Sequence, residues 1–287
     1  MGTCQTASSL QSSDATRQAS TELGAMMKCV AVKPAQKANP TGDPNFTVMQ
    51  PFPAAISPED ADPFLMCDEF GPEVSKGLIE DPDKFSVGWH PHIGMDIMTY
   101  LTEGTGRHAD SMGNRSEFQA PGFQWCSVGS GIEHAEGGGT PAGARQHGFQ
   151  IWINVPQNRK KDDPRYGTEP PENIPVLKYP GVQARLLAGQ LGEAHGPFKT
   201  VQEVLMVDLE LDVGTVHEYS LPESLDSCMI YIYRGDGKVA GEQVPWRAVA
   251  QLDAAGPARQ LLLEAGPQGM AALLFAGRRI REKIVWH

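Results

Sequence analysis

Residues 87–112 read VGWHPHIGMDIMTYLTEGTGRHADSM, and they decide how the rest of the chain is understood. Apolar and polar residues alternate with a period of two, and Gly88, Gly94, Gly104 and Gly106 cut the stretch into short runs. That texture belongs to half-buried β-strands joined by tight turns. It returns in FQAPGFQWCSVGSG (118–131) and HGFQIWINVP (147–156), and again in GVQARLLAG (181–189), VLMVDLELDVGTVHEYSL (204–221), CMIYIYRGDGKVAG (228–241) and AALLFAGRRIREKIVW (271–286). No segment carries a long amphipathic helical pattern, so an all-β chain with few short helices is expected, as a sandwich or barrel.

The two halves echo each other. YIYRGDGKV (231–239) matches the layout of YLTEGTGRH (100–108), and AALLFAG (271–277) stands where FQIWINV (149–155) stands in the first half. A duplicated β module follows, with domains expected over 28–155 and 176–287. The Pro- and charge-rich stretch 156–175 reads as a linker, in which Arg159, Lys160 and Lys161 solvate the surface. Residues 1–27 are rich in Ser, Thr, Gln and Ala and are expected to be a disordered tail. Within that tail Met1-Gly2-Thr3-Cys4-Gln5-Thr6 fits an N-myristoylation pattern, with Cys4 available for a second acyl chain; a chance match in a polar tail is the plainer alternative.

The 287 residues include 31 glycines and 23 prolines, which suits many turns, and the net charge is −11. Such a charge, without clustered Lys and Arg, argues against direct binding to a phosphate backbone. No apolar run reaches the roughly 18 to 20 residues that span a bilayer. The five cysteines are scattered and contain no C-x-x-C pair, so neither a disulfide framework nor a cysteine zinc site is indicated. A cytoplasmic monomer is expected, with a nuclear location or a Gly2/Cys4 membrane anchor as alternatives.

Two short motifs carry the chemistry. His90-Pro91-His92 and His134-Ala135-Glu136 lie in strand-like text, and residues i and i+2 of a strand share a face. Each pair presents two donors to one point, and two such strands together would place three imidazoles and a carboxylate around one divalent transition metal. A single histidine on a strand is commonly a hydrogen-bonded core or surface residue, but two correlated pairs weaken that reading. After residue 175 only His195, His217 and His287 remain, unpaired, so one metal per chain is expected. Met98, Phe123, Trp125 and Phe149 either line an aromatic-binding pocket or pack the core. His108 and His147 are expected in hydrogen-bonding or surface roles, and Cys126 as a small buried hydrophobe or a redox-sensitive thiol near the metal.

The stretches WHPHIGMDIMTYLTEGTGRHADSMGN (89–114), PGFQWCSVGSGIEHAEG (121–137), FQIWINVPQNRKKDDPRY (149–166) and RLLAGQLGEAHGP (185–197) resemble the pirin family of bicupin proteins. The resemblance implies two cupin-type β-barrels, the first holding one metal, usually Fe(2+), through His90, His92, His134 and Glu136, and the second holding none. It also implies one of two activities. Some pirins resemble quercetin 2,3-dioxygenases, in which Glu136 would serve as base as well as ligand towards a flavonol. Others are described as iron-dependent, redox-sensitive co-regulators that contact a transcription-factor protein. The chain departs from the family's H-P-H-R-G-F-E pattern at Ile93, Met95 and Asp96, and has Phe123 where an Asp is frequent. Asp96 shares the parity of His90 and His92 and is expected to face inward as an outer partner of the site. The chain stops at His287, where relatives commonly continue into a closing helix.

Overall fold

The computed structural model describes residues 26–40 and 46–285. Gly2 and Cys4 lie outside the described residues. The chain is all-β, as its period-two patterning predicts. Among the described residues helix is confined to one α-turn, Pro58–Ala61, capped by Ser57, and two 3-10 turns, Gln157–Arg159 and Pro171–Asn173. No helix among them is long and apolar enough to cross a membrane.

The first half folds as a barrel of two sheets. One runs in the order Arg165–Glu169, Gly122–Ser127, Met95–Glu103, Arg145–Asn154, Phe64–Val74, Val48–Phe52 and Gln36–Ala38. The other is Val87–His92, Ile132–Glu136, Thr105–Asp110 and Arg115–Gln119. The main sheet of the second half runs Cys29–Pro34, Ala248–Leu252, Ser227–Val239, Gln260–Gly277, Val204–Leu211, Val182–Ala188 and Val176–Tyr179. Element for element this repeats the seven-stranded order of the first half, which is the duplication visible in the sequence.

The first position in each sheet is filled from an unexpected part of the chain. Arg165–Glu169, read from sequence as linker, pairs along its whole length with Gly122–Ser127. Cys29–Pro34, assigned to the first domain, pairs instead with Ala248–Leu252 of the second half. Met26 and Met27, assigned to the disordered tail, are ordered: Met27 is buried in the second-half core and its N–H donates to Gln260 O at 2.8 Å. The physical reason is common to all three. A sheet edge leaves a row of backbone donors and acceptors unpaired, and the nearest passing chain covers it.

The two large sheets pack face to face. Strand parity divides the apolar side chains between this shared layer and the barrel interiors: along Gln260–Gly277, Ala271, Leu273 and Phe275 face the shared layer, while Ala272, Leu274 and Ala276 fill the second barrel. Burial on both faces explains the unbroken apolar run AALLFAG. Met98, Tyr100, Phe149 and Ile151 meet this layer from the first half. The interface also holds two matching polar clamps. Tyr100 Oη donates to Asp208 at 2.6 Å, and at the equivalent place Tyr231 Oη donates to Glu69. Arg185 pairs with Asp208 at 3.3 Å, and Arg247 with Glu69 at 3.1 Å. Each tyrosine reaches across to the carboxylate of the other half.

The barrels differ inside. Leucine, valine and isoleucine fill the second. The first has polar side chains at its centre, among them the buried Gln124, His108, His134 and Asp110.

Candidate metal centre

Val87–His92 and Ile132–Glu136 are neighbouring antiparallel strands, with His134 paired to His90 and Ile132 to His92. The i, i+2 rule puts His90 and His92 on one face, and the register brings His134 beside them. Donor nitrogens of the three rings all lie within 4.8 Å of one another. His134 Nε2 stands 3.0 Å from His90 Nε2. His90 Nδ1 lies 2.7 Å from Gly88 O; a carbonyl only accepts, so Nδ1 carries the proton and Nε2 presents its lone pair. Burial, reinforced by the neighbouring rings, lowers His92 to about 4 and His134 to about 3, so both are neutral at neutral pH.

Glu136 is brought into the same barrel interior but not into that 4.8 Å group. A register shift follows His134, and the Glu136 carboxylate is engaged from the opposite sheet. Gln150 Nε2 donates to Oε1 at 2.8 Å, and Gln124 Nε2 to Oε2 at 3.2 Å. Thr99 Oγ1 lies 2.8 Å from Oε2 and 2.6 Å from Gln150 Oε1, and donates its one proton to one of them. These partners were not singled out from sequence, although a signal exists: Gly122-Phe123-Gln124 and Gly148-Phe149-Gln150 place a glutamine at the same point of two apolar strands. The residues fit a transition metal. His92 Nε2 is buried without a hydrogen-bond partner, and three imidazoles whose ring nitrogens converge, with a carboxylate nearby, form a donor set for a first-row divalent ion.

His90, His92 and Glu136 line a cavity of about 490 Å³. Its walls are mainly apolar, with Phe70, Leu101, Phe118 and Trp152, and Asp68 and Gln146 among its polar groups. Burial raises Asp68 to about 6 against the lowering effect of Gln50, which donates to it at 2.6 Å.

Several sequence expectations resolve here. Met98, Phe123 and Phe149 pack the shared layer and not the cavity, because Thr99, Leu101, Gln150 and Trp152 are the residues whose parity faces inward. Trp125 stacks on Phe198 of the second half at 5.0 Å. Asp96 does not approach the site: Ile93–Gly94 ends one strand and Met95 begins another in the other sheet, which resets the parity. Its Oδ2 instead accepts from Val201 N at 2.6 Å, across the junction of the halves. Lys160 is no mere solvating charge, since its Nζ donates to Gly94 O at 2.9 Å and Asn154 Oδ1 at 2.7 Å. His147 is hydrogen-bonded between Thr102 Oγ1 and Glu69. Cys126 is buried among Ile97, Val128 and Ile132, and His108 is buried with its Nε2 3.1 Å from Asp110 Oδ2.

The Pirin family model matches residues 45–153, which contain all four candidate ligands, and the model described as the Pirin C-terminal cupin domain matches residues 206–287. The chain belongs to the pirin family. A relative in Pseudomonas aeruginosa, named "Putative quercetin 2,3-dioxygenase", is 33% identical over 240 residues, covering 80% of each chain. The pirin fold is shared with a quercetin 2,3-dioxygenase from Acinetobacter baumannii, with a TM-score of 0.81 at 23% identity over 92% of this chain and 91% of that one. It is shared also with a bacterial pirin from Escherichia coli crystallised in complex with nickel(II), with a TM-score of 0.64 at 21% identity over 87% of this chain and 99% of that one.

Proposed function

We propose that this pirin is a metal-dependent oxidoreductase of the quercetin 2,3-dioxygenase type, with His90, His92, His134 and Glu136 holding one divalent transition metal, iron by family expectation. The observation that carries the reading is the convergence of three imidazoles, with a positioned carboxylate beside them, at an apolar cavity of about 490 Å³. The names of the relatives in Pseudomonas and Acinetobacter support it, as does the nickel(II) complex of the Escherichia coli pirin. A bound metal supplies Lewis acidity and redox capacity next to the cavity.

The chain's own residues account for the rest. Phe118, Leu101 and Trp152 offer apolar walls to a planar aromatic substrate, and a flavonol is of a size to occupy such a cavity. Glu136 accepts the proton of the substrate hydroxyl that enters beside His90 and His92, and Gln124, Gln150 and Thr99 hold its carboxylate in place for that transfer. Trp152 Nε1 is buried with no partner and is an available donor to a substrate carbonyl. Asp68, held by Gln50, meets a further phenolic hydroxyl.

An oxygen electrode with iron-loaded protein and a panel of flavonols tests the reading. Uptake of dioxygen above a His90→Ala control is expected for at least one flavonol. No uptake above that control for any of them defeats the dioxygenase assignment.

A further inference from the structure

A second group of metal donors lies in the first barrel and shares only His134 with the function proposed above. A ring nitrogen of His108, the thiol of Cys126 and a ring nitrogen of His134 all lie within 4.8 Å of one another. All three residues are buried; His108 and His134 are 1% and 0% exposed. His108 Nδ1 and His134 Nδ1 are both buried without any hydrogen-bond partner. Two orphaned imidazole nitrogens beside a thiol are costly in an interior where nearly every polar atom finds a partner.

The surroundings are those of a ligand, not of a stray core histidine. His108 Nε2 lies 3.1 Å from Asp110 Oδ2; a carboxylate accepts, so the proton sits on Nε2 and the lone pair is left on Nδ1. Asp110 is itself fixed, receiving the backbone N–H groups of Met112 and Asn114 at 3.0 Å and Asn114 Nδ2 at 2.8 Å. A carboxylate that holds one nitrogen of a histidine while the other faces a metal is the usual support of a protein metal ligand. Tyr166, stacked on His108 at 4.4 Å, fixes the plane of the ring.

We propose that His108, Cys126 and His134 form a second metal site, selective for a thiophilic ion, zinc(II) or copper(I). Two imidazoles and one thiolate are a donor set for such ions, whereas the imidazole and carboxylate set of the first site suits harder divalent metals. Binding forms the Sγ–metal bond and releases the thiol proton of Cys126 to solvent, with no change in oxidation state. With both sites filled, His134 bridges them and gives up its remaining ring proton as well.

Cobalt(II) is the probe, because its thiolate complexes carry an intense near-ultraviolet charge-transfer band that histidine and carboxylate ligands do not produce. The intact, metal-stripped chain is titrated under anaerobic, thiol-free conditions as wild type, Cys126→Ser, His108→Gln and His92→Ala. The wild type is expected to show the band. Cys126→Ser and His108→Gln are each expected to lose it, with bound cobalt falling from about two to about one per chain. His92→Ala is expected to keep it. A wild type without the band overturns the site, and so does a band that survives His108→Gln or disappears in His92→Ala, since Cys126 would then serve the first centre. A metal-induced rise in Tm that is larger in wild type than in Cys126→Ser and His108→Gln, which keep the first centre, reads the same site independently of the spectrum. Displacement of the cobalt band by zinc(II) or by copper(I) separates the two ions. Failure of the flavonol assay leaves all of these readouts unchanged.

Discussion

Gln150 shows how much of the site depends on residues that touch no metal. It donates to Glu136 Oε1 at 2.8 Å and helps set where that carboxylate points. Loss of such an outer partner commonly weakens metal binding about 10- to 100-fold. Gln150→Ala is therefore expected to weaken Fe(II) binding by that factor in anaerobic calorimetric titration; unaltered affinity would mean that Glu136 is not a metal partner. Asp96 makes a pH prediction at the same scale. Burial raises its pKa from 3.8 to about 6, against the lowering effect of the Val201 N–H. The native chain thus holds a proton that the unfolded chain has released between about pH 4 and 6, so this group's contribution to stability falls as pH rises through that window. Asp96→Asn is expected to gain on wild type across the same interval, by up to about 3 kcal/mol at pH 7. Parallel urea-unfolding curves for the two proteins from pH 4 to 7 would exclude the raised pKa.

At the scale of the element, Arg145–Asn154 serves two masters. Phe149 and Ile151 face the layer between the halves, while Gln150 and Trp152 face the cavity. Truncation on the two faces should separate stability from function. Phe149→Ala removes a fully buried ring and is expected to cost about 3–5 kcal/mol in chemical denaturation. Trp152→Ala is expected to change flavonol binding, measured by fluorescence quenching or by KM, far more than it changes the unfolding midpoint. Equal loss of stability in both would contradict the division of faces. The His92 ring, on Val87–His92 of the other sheet, lies 5.0 Å from Trp152, so this strand brings the cavity wall into contact with the metal donors.

For the whole molecule, the shared layer makes the two barrels interdependent. Phe52, Phe64 and Phe275 form edge and tilted ring contacts within 6.2 Å across it, and Arg247 closes on Glu69 from the other half. One cooperative transition in differential scanning calorimetry is expected for the intact chain. Arg247→Met is expected to cost about 3–5 kcal/mol, because it leaves a buried carboxylate without its cation. Two resolved transitions in the wild type, or an unchanged midpoint in Arg247→Met, would show that the halves fold independently of this clamp.

Local order in the sequence determined the strands, the duplication and the three histidines. All of these rest on short-range regularities: the period of two, the i, i+2 rule and the repeated Tyr-x-x-x-Gly layout at Tyr100–Gly104 and Tyr231–Gly235. Parity within one strand is a local property, so His90 and His92 were legible as a pair. Parity does not survive a turn, which is why Asp96 was misplaced once Ile93–Gly94 broke the strand. Only the tertiary structure decided which strand fills each sheet edge, because a partner for Gly122–Ser127 or Ala248–Leu252 is chosen by proximity in space and not by composition. It also decided which face of each strand meets the other half, and so put Phe149 in the interface and Gln150 on Glu136. The thiol of Cys126 and the ring of His108 come together for the same reason: their strands lie in different sheets, and closure of the barrel brings them to one point.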